Sequence, residues 1–490
     1  MSFKEKTAKG FVWTMVDTLF NYAGLFVINI ILARLLSPVE FGVIGILAIF
    51  LTVFESLIDG GFTNALIRAE KVDEIDFNTV FFFNVTLSIA LYAFFFIAAP
   101  SISFFFNDSS LTLYARVLGV ILIINAFGGV QRTILTRAID FKYQAIISIT
   151  STLISGVIGI YMAYAGFGVW SLITQQLSRA LITTAMFWIN SSWYPKIEFS
   201  IISFRKLFNF GWKILVSSLI GTVATEINSA VIGKVYTKEA LGLYTRAKLF
   251  TDVVSIKLTS IIRRVTFPAF SSIQQDDEYL VSIYRKMLRL VTLISCSALM
   301  ILGAIAEPMV RVLLGEQWAE CAPYLVLLCL VWLFYAPNVL NLNLLQVKGR
   351  SDLFLYDQIL AVIIGFIPLI FAIKYSITAM LVVSIVTQML LYFVGVLFCS
   401  KVVEYSFFKQ IKDLIPIVAT ALGIFLIVRL FGFVDISAGW LLTVECVVGV
   451  FVFLTLSSLF CKQEFCFMKQ SMRSLANKFG NRRLRNRKSY

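Results

Sequence analysis

Histidine is absent from the 490 residues. With it go imidazole proton transfer, histidine-based catalytic triads and histidine-ligated metals. Charge is scarce: Asp, Glu, Lys and Arg make up 14% of the chain, against roughly 25% in a soluble domain. No phosphate-binding loop of the form GxxxxGK(S/T) occurs, so the chain alone has no means to hydrolyse ATP, and any pumping draws on an ion gradient or the membrane potential. Alternating ten-residue strands are missing too, which argues against a transmembrane barrel. No connection between apolar runs is long enough for a soluble domain. The longest outer ones, near Ser101–Ser110 and Glu307–Glu320, run to little more than a dozen residues, and an external catalytic domain is excluded. The seven cysteines show neither metal-knuckle spacing nor a disulfide framework. Cys296, Cys329, Cys399 and Cys446 sit within apolar runs, Cys321 at the edge of one, and Cys461 and Cys466 after the last, as packing residues would. CKQEFC is too isolated to be a metal site. These absences leave no enzyme, no cofactor and no metal centre to expect.

What is present is apolar surface: 59% of residues are hydrophobic and 15% aromatic. Runs near 20 residues are long enough to cross about 30 Å of hydrocarbon as helices. The fold class is therefore an all-α polytopic membrane protein. About fourteen spans are expected, at 11–33, 40–61, 79–100, 111–131, 144–165, 167–190, 208–232, 241–265, 288–306, 321–345, 355–373, 378–399, 411–431 and 438–460. The basic start MSFKEKTAKG has no cleavage site, so the first run reads as a retained helix. The net charge of +14 is unevenly placed. Even-numbered connections carry Arg68 and Lys71, then Arg132, Arg137 and Lys142, then Lys196, Arg205 and Lys206, with Arg285, Lys286, Arg289, Lys348, Arg350, Lys401, Lys409 and Lys412 further on. Odd ones carry only Arg34, Lys234, Lys238, Arg311 and Lys374. Both termini are expected in the cytoplasm. The tail SMRSLANKFGNRRLRNRKSY reads as a topology anchor that touches membrane lipids, not as a nucleic-acid binder.

The chain resembles itself at an offset of about 200 residues. ILARLLSPVEFGVIG, from Ile31, lies against VIGKVYTKEALGLYT, from Val231, so that Arg34 meets Lys234, Ser37 meets Thr237 and Gly42 meets Gly242. YAGFGVWSLITQQ, from Tyr164, resembles YSITAMLVVSIVTQ, from Tyr375, with a small slip. A repeat of six helices returns the chain to its starting side, so the copies are parallel. The expected organisation is two six-helix lobes, 1–200 and 201–400, then two further helices in 401–460 and a basic tail, 461–490. Substrate cavities in such folds lie between the lobes.

Polar faces recur with the repeat. Thr52, Glu55 and Asp59 share one stripe of the second span, and at offset 200 they fall on Asp252, Ser255 and Thr259. Asp17 and Asn21 share a face of the first span. Their counterparts, Ser217 and Gly221, are in line with Lys213 and Asn228. On a straight helix from Thr245 to Arg264, Lys248, Asp252, Ser255, Thr259 and Arg263 fall within roughly 80°, while Arg246, Lys257 and Arg264 share another face. Ionised groups cost roughly 2.5–3.5 kcal/mol each at a bilayer centre. This helix therefore reads either as the wall of a polar passage or as an amphipathic helix on the membrane surface. The candidate cavity set is Arg179, Lys213, Asn228, Lys248, Lys257 and Arg263, with the acids and amide Asp17, Asn21, Glu55, Asp59 and Asp252. The cations suit an anionic ligand such as phosphate. The carboxylates can carry a coupling H+ or Na+, or pair with the cations. The structural alternative is a set of buried ion pairs that fix helix register, such as Lys248 with Asp252.

ARLLSPVEFGVIGIL, followed by a second helix that ends LIDGGFTNALIR, resembles the start of bacterial polysaccharide transporters. These are the Wzx-type O-antigen and exopolysaccharide flippases of the multidrug/oligosaccharidyl-lipid/polysaccharide exporter superfamily. The resemblance extends along the chain in helix count, repeat and loop size. It implies transfer of an undecaprenyl-diphosphate-linked oligosaccharide across the bacterial cytoplasmic (inner) membrane by alternating access, through a cationic central cavity. It also implies polymerase or assembly partners. Lys213, Lys248, Lys257, Arg263 and Arg179 match the family's cavity cations by type and helix, whereas the acids on the first two helices give this chain a cavity of mixed sign. An ion-coupled multidrug exporter, or a lipid II flippase, is the alternative on the same fold. A drug exporter would favour acids and aromatics, and here the bases are more numerous.

Overall fold

A backbone in hydrocarbon must satisfy its own N–H and C=O groups, and long apolar runs do so as helices. The computed structural model describes Phe20, 23–59, 61–69, 72–138, 140–434 and 436–470, and every regular element among these residues is helical. Among the described residues ten helices, counting broken ones as single spans, are long and apolar enough to cross a membrane, and Leu215–Val223 with Thr225–Val235, bent by 40°, would add an eleventh. They include the expected spans 2 to 5 and 9 to 14. Span 1 falls largely outside the described residues, which give it helix α1, Ala23–Leu35. Spans 6, 7 and 8 are helical but more polar. The chain is a multi-pass membrane protein. Its contacts divide it into two compact units, Met1–Thr245 and Arg246–Tyr490.

In the first unit α1 is followed by α2 (Pro38–Asp59), α3 (Phe62–Arg68), α4 (Glu74–Phe105), α5 (Ser110–Leu118), α6 (Ile121–Arg137), α7 (Phe141–Tyr164), α8 (Val169–Ile189), α9 (Ile201–Val235) and the start of α10 (Lys238–Asp252). Local chemistry sets the ends. The Asp140 carboxylate accepts the Tyr143 N–H to start α7, and the Ser200 hydroxyl accepts that of Ser203 to start α9. Arg137 donates to the carbonyls of Leu66 and Ala69, the latter at 2.8 Å, and so caps α3 from outside. The segment between α8 and α9 is strapped to the start of α4. Asn78 Oδ1 accepts the Lys196 N–H at 3.2 Å, Thr79 Oγ1 accepts the Ser200 N–H at 3.1 Å, and the Lys196 ammonium lies 2.7 Å from Glu74. Trp193 packs its ring against Phe77 and Phe81.

Helix α9 runs antiparallel along α2, with Ser56 and Ser218 in hydrogen-bond contact at 3.1 Å. At the other end of α2 the first turns of α2 and α10 touch backbone to backbone. A Cβ on Gly42 would lie 1.9 Å from the Lys238 carbonyl oxygen, and one on Gly242 would lie 1.9 Å from that of Pro38. Lys238 follows Pro38, and Gly242 follows Gly42, by 200 residues. The contact therefore maps onto itself under the repeat offset. Lys238 also holds Asp108, Nζ to Oδ2 at 2.6 Å, in the turn between α4 and α5.

The second unit continues α10 through a wide π turn, Val253–Lys257, into α11 (Leu258–Ser272). Then come α12 (Asp277–Ala304), α13 (Ala306–Leu313), α14 (Cys321–Val331), α15 (Tyr335–Val347), α16 (Ser351–Ala372), α17 (Ile377–Ser400), α18 (Phe407–Leu430) and α19 (Ala438–Phe460). A last helix, α20, covers 462–470. Leu288, Leu340, Leu344, Val396 and Ile417 are fully buried at its core. A polar knot joins four of these helices within it. Tyr284 donates to Asn341, and Gln410 Nε2 donates to Asn341 Oδ1 at 3.0 Å and Tyr392 Oη at 3.2 Å. Near it Asp413 takes Arg285 Nη2 at 2.7 Å and the Tyr405 hydroxyl at 2.6 Å. Such bonds are strong in a low-dielectric interior and costly to leave half made.

Two expectations follow from the α2–α10 crossing and its neighbours. Gly42→Ala and Gly242→Ala each lower the melting temperature of the detergent-solubilised protein, by an overpacking cost of about 1–3 kcal/mol. The double variant loses less than the sum, because one displacement relieves both clashes. Gly129→Ala, where no atom lies within 4 Å of the added carbon, is the neutral control. Burial alone would raise the Asp108 carboxyl, but the Lys238 ammonium and Ser110 hold it below the ordinary carboxylate range. The folded state thus favours its ionised form. That stability is present above pH of about 4 and is lost as pH falls through the lower folded value. Acid melting curves of Asp108→Asn should lack this component.

Candidate functional site

On α2 the buried residues Leu51, Phe54 and Ile58 face the core, and Thr52, Glu55 and Asp59 occupy the opposite, exposed side. Asn125, exposed on α6, donates its Nδ2 to Glu55 Oε1 at 2.8 Å. On α8, Gln175 is buried against Gly159, while Gln176 and Arg179 are half-buried. Asn228 is half-buried on α9. Lys213 also lies on α9, but its side chain, like Asp17 and Asn21 altogether, falls outside the described residues. The first unit thus brings Glu55 together with a partner the sequence did not suggest. Arg179 and Asn228 stand on other helices.

In the second unit Lys248 and Asp252 are half-buried near the end of α10. The π turn follows at once, and the extra residue in it rotates everything beyond. Ser255 and Thr259 are buried, with Ser255 Oγ donating to the Thr251 carbonyl at 2.8 Å. Past the turn, Ser260 and Arg263 are exposed. The single stripe expected of a straight helix is therefore split, with its two hydroxyls turned into the core. Lys257 belongs to the π turn, and its side chain falls outside the described residues. Arg263 donates Nη2 to Gln346 Oε1 on α15 at 3.4 Å. Asn343 donates to Thr266 Oγ1 at 3.2 Å, which fixes α15 beside α11. Tyr335, at the start of α15, is close enough to both Arg263 and Asp252 to interact with their charges.

Asn125 and Tyr335 lie on expected spans 4 and 10 and Gln346 just past the end of span 10, where nothing in residue order set them apart from other polar residues such as Gln131, Asn338, Asn341 and Asn343. A signal was available. At an offset of 210 residues Asn125 falls on Tyr335, Gln131 on Asn341 and Thr133 on Asn343. Among the described residues no group of three or more Cys, Asp or Glu is placed to hold a metal ion. The chemistry on offer is hydrogen bonding and charge: carboxylates, a guanidinium, amides and a phenol on apolar helices. Such groups need water or a polar ligand.

Residues 31–323 match a family model described as polysaccharide biosynthesis protein. Among curated proteins the chain is 26% identical over 355 residues to the lipopolysaccharide biosynthesis protein WzxC of Escherichia coli (strain K12), covering 72% of each chain. It is 26% identical to the teichuronic acid biosynthesis protein TuaB of Bacillus subtilis (strain 168), over 62% of this chain and 64% of that one. It is also 26% identical to the succinoglycan biosynthesis transport protein ExoT of Rhizobium meliloti (strain 1021), over 65% of this chain and 64% of that one. In fold it is similar to the lipid II flippase MurJ in an inward closed conformation, with a TM-score of 0.76 at 15% identity, covering 92% of this chain and 99% of that one. An inward-facing multidrug resistance MATE family transporter of the MOP superfamily gives a TM-score of 0.59 at 16% identity, over 79% of this chain and 94% of that one.

The pairing of Glu55 with Asn125 can be weighed by a double-mutant cycle. Asn125→Leu should lower the melting temperature and Glu55→Leu should mask that loss, with a coupling of about 1 kcal/mol read from thermal unfolding in detergent.

Proposed function

The chain belongs to the polysaccharide biosynthesis protein family, and from that premise we propose that it moves a lipid-linked oligosaccharide across the bacterial cytoplasmic membrane. The substrate is an undecaprenyl-diphosphate-linked repeat unit of an O-antigen or exopolysaccharide. A diphosphate bearing several sugars cannot cross hydrocarbon unaided, because each desolvated polar group costs energy. Polar faces on membrane-embedded helices lower that barrier, while the lipid tail stays in the bilayer.

The reading carries the expected architecture with it: fourteen spans, lobes 1–200 and 201–400, two added helices, both termini cytoplasmic, and transport by rocking of the lobes. Arg179, Lys213, Asn228, Lys248, Lys257 and Arg263 take the anionic headgroup. Asp17, Asn21, Glu55, Asp59 and Asp252 balance those charges or bind a coupling H+ or Na+. The observation that carries it is the family match across 31–323, which includes α2, α8 and the whole of α10–α11. The likeness to a MATE fold supports a drug exporter as the second reading; that one predicts dominant acids in the site, whereas the proposed set holds the bases Arg179, Lys213, Lys248, Lys257 and Arg263 against the acids Asp17, Glu55, Asp59 and Asp252.

The test is genetic and chemical. Deleting the gene should trap lipid-linked repeat units on the cytoplasmic leaflet, and the intact gene should clear them. Lys248→Ala, Lys257→Ala and Arg263→Ala should each restore surface polysaccharide poorly, by roughly ten- to a hundredfold where a charge-assisted bond is lost. Full rescue by all three would remove them from the substrate site. Drug sensitivity of the deletion strain with normal polysaccharide would favour the exporter.

A further inference from the structure

Helix α19 turns one narrow stripe toward the rest of its unit, where Glu445, Gly449, Val452 and Ser457 are buried. The last three are small or apolar, as close packing asks. A Cβ on Gly449 would stand 3.2 Å from Ile301 Cγ2 on α12 and 3.6 Å from Val428 Cγ2 on α18. Glu445, one turn nearer the start of α19, breaks the pattern. Its exposure is 0%, and neither carboxyl oxygen has a hydrogen-bond partner. A Cβ on Gly432, itself exposed, would lie 3.3 Å from Glu445 Oε1. The carboxyl group is therefore sealed, but only just, beneath the turn Phe431–Phe433 that ends α18.

The charged groups on the helices packed around it are bound to one another. Arg429, three residues before Gly432 on α18, gives its Nη2 to Glu307 Oε2 on α13 at 2.9 Å. Arg311 lies 3.6 Å from Glu307 and 3.0 Å from Glu316. Arg429 and Glu307 both interact with the Glu445 charge. The last turns of α12 carry no charge, and Cys446 is the neighbouring titratable group on α19 itself. Asp435, between α18 and α19, falls outside the described residues.

The cover limits what such a site can take. An organic ligand cannot touch oxygens that have no exposed surface. A metal ion needs several oxygens, and among the described residues no group of three or more Cys, Asp or Glu is placed to supply them. A bare carboxylate, sealed from water and without a donor, costs several kcal/mol. A proton removes that cost and needs only one oxygen. We propose that Glu445 is a proton-binding site, occupied in the arrangement described, and that it empties when α19 shifts against α18. The proton comes from water at the exposed turn and returns to it. The carboxylate left behind takes the Arg429 guanidinium, which must then leave Glu307, while Glu307 keeps Arg311. Occupancy of Glu445 thus decides which of two acids Arg429 holds, and the proton acts as a latch between two ion-pair arrangements at this end of the unit. None of this depends on which substrate crosses the membrane.

The test reads the proton directly. Infrared spectra of the full chain in lipid nanodiscs are recorded across pH for the wild type and for Glu445→Gln, which keeps the shape of the neutral acid. The wild type should show the carbonyl stretch of a protonated carboxylic acid at neutral pH, shifted in heavy water and missing from Glu445→Gln. That band should fade reversibly as pH rises. Glu307→Gln frees Arg429 and should move the fading to lower pH. Arg429→Gln removes the alternative partner and should move it higher, each by about one pH unit or more. The side chains of Arg429 and Glu307 are 41% and 46% exposed, so these two variants carry the test if Glu445→Gln fails to fold. Three results overturn the site. One is the lack of any acid band that depends on Glu445. Another is a band that persists until the protein unfolds, in the wild type and in Glu307→Gln alike, which makes the proton a fixed part of the packing. The third is a midpoint that neither surface variant moves.

Discussion

A charged side chain in hydrocarbon must be given a partner or water, and the arrangement of both units follows from that demand. It is why Glu55 sits on the face of α2 away from Phe54 and accepts a hydrogen bond from Asn125. It is why Arg263 reaches across to Gln346 on α15. It also explains the knot around Asn341, where tyrosine hydroxyls and amides from four helices bond one another inside an apolar core.

Connections obey the rule as well. Arg137 spends its guanidinium on the exposed carbonyls at the end of α3. The stretch between α8 and α9 has no regular structure, yet its amides find Asn78 and Thr79 on α4. Side chains at helix termini thus take over where the helical ladder stops, and the seventh span starts from a fixed point.

Most of the architecture could be read from residue order. Apolar run lengths located the helices, because a bilayer accepts little else, and the offset of 200 residues made Gly42 and Gly242 equivalent positions without showing them to be neighbours in space. The polar stripe of α2 appeared as expected, since α2 is a regular helix. The stripe of α10–α11 did not survive intact. A π turn is set by what packs against it, and no residue type announces one, so Ser255 and Thr259 went to the core. Asn125, Tyr335 and Gln346 were hidden for a related reason: a polar residue in an apolar run acquires meaning only from its neighbour on another helix.

The crossing of α2 and α10 has an implication for ancestry. Pro38, Gly42, Lys238 and Gly242 make a contact that is unchanged when each residue is exchanged for its partner 200 positions away. Isologous dimers make contacts of this form across a two-fold axis. A half-length precursor pairing with itself would have used one glycine for both sides of the joint. Fusion of such a precursor into a single chain would turn one position into two that constrain each other.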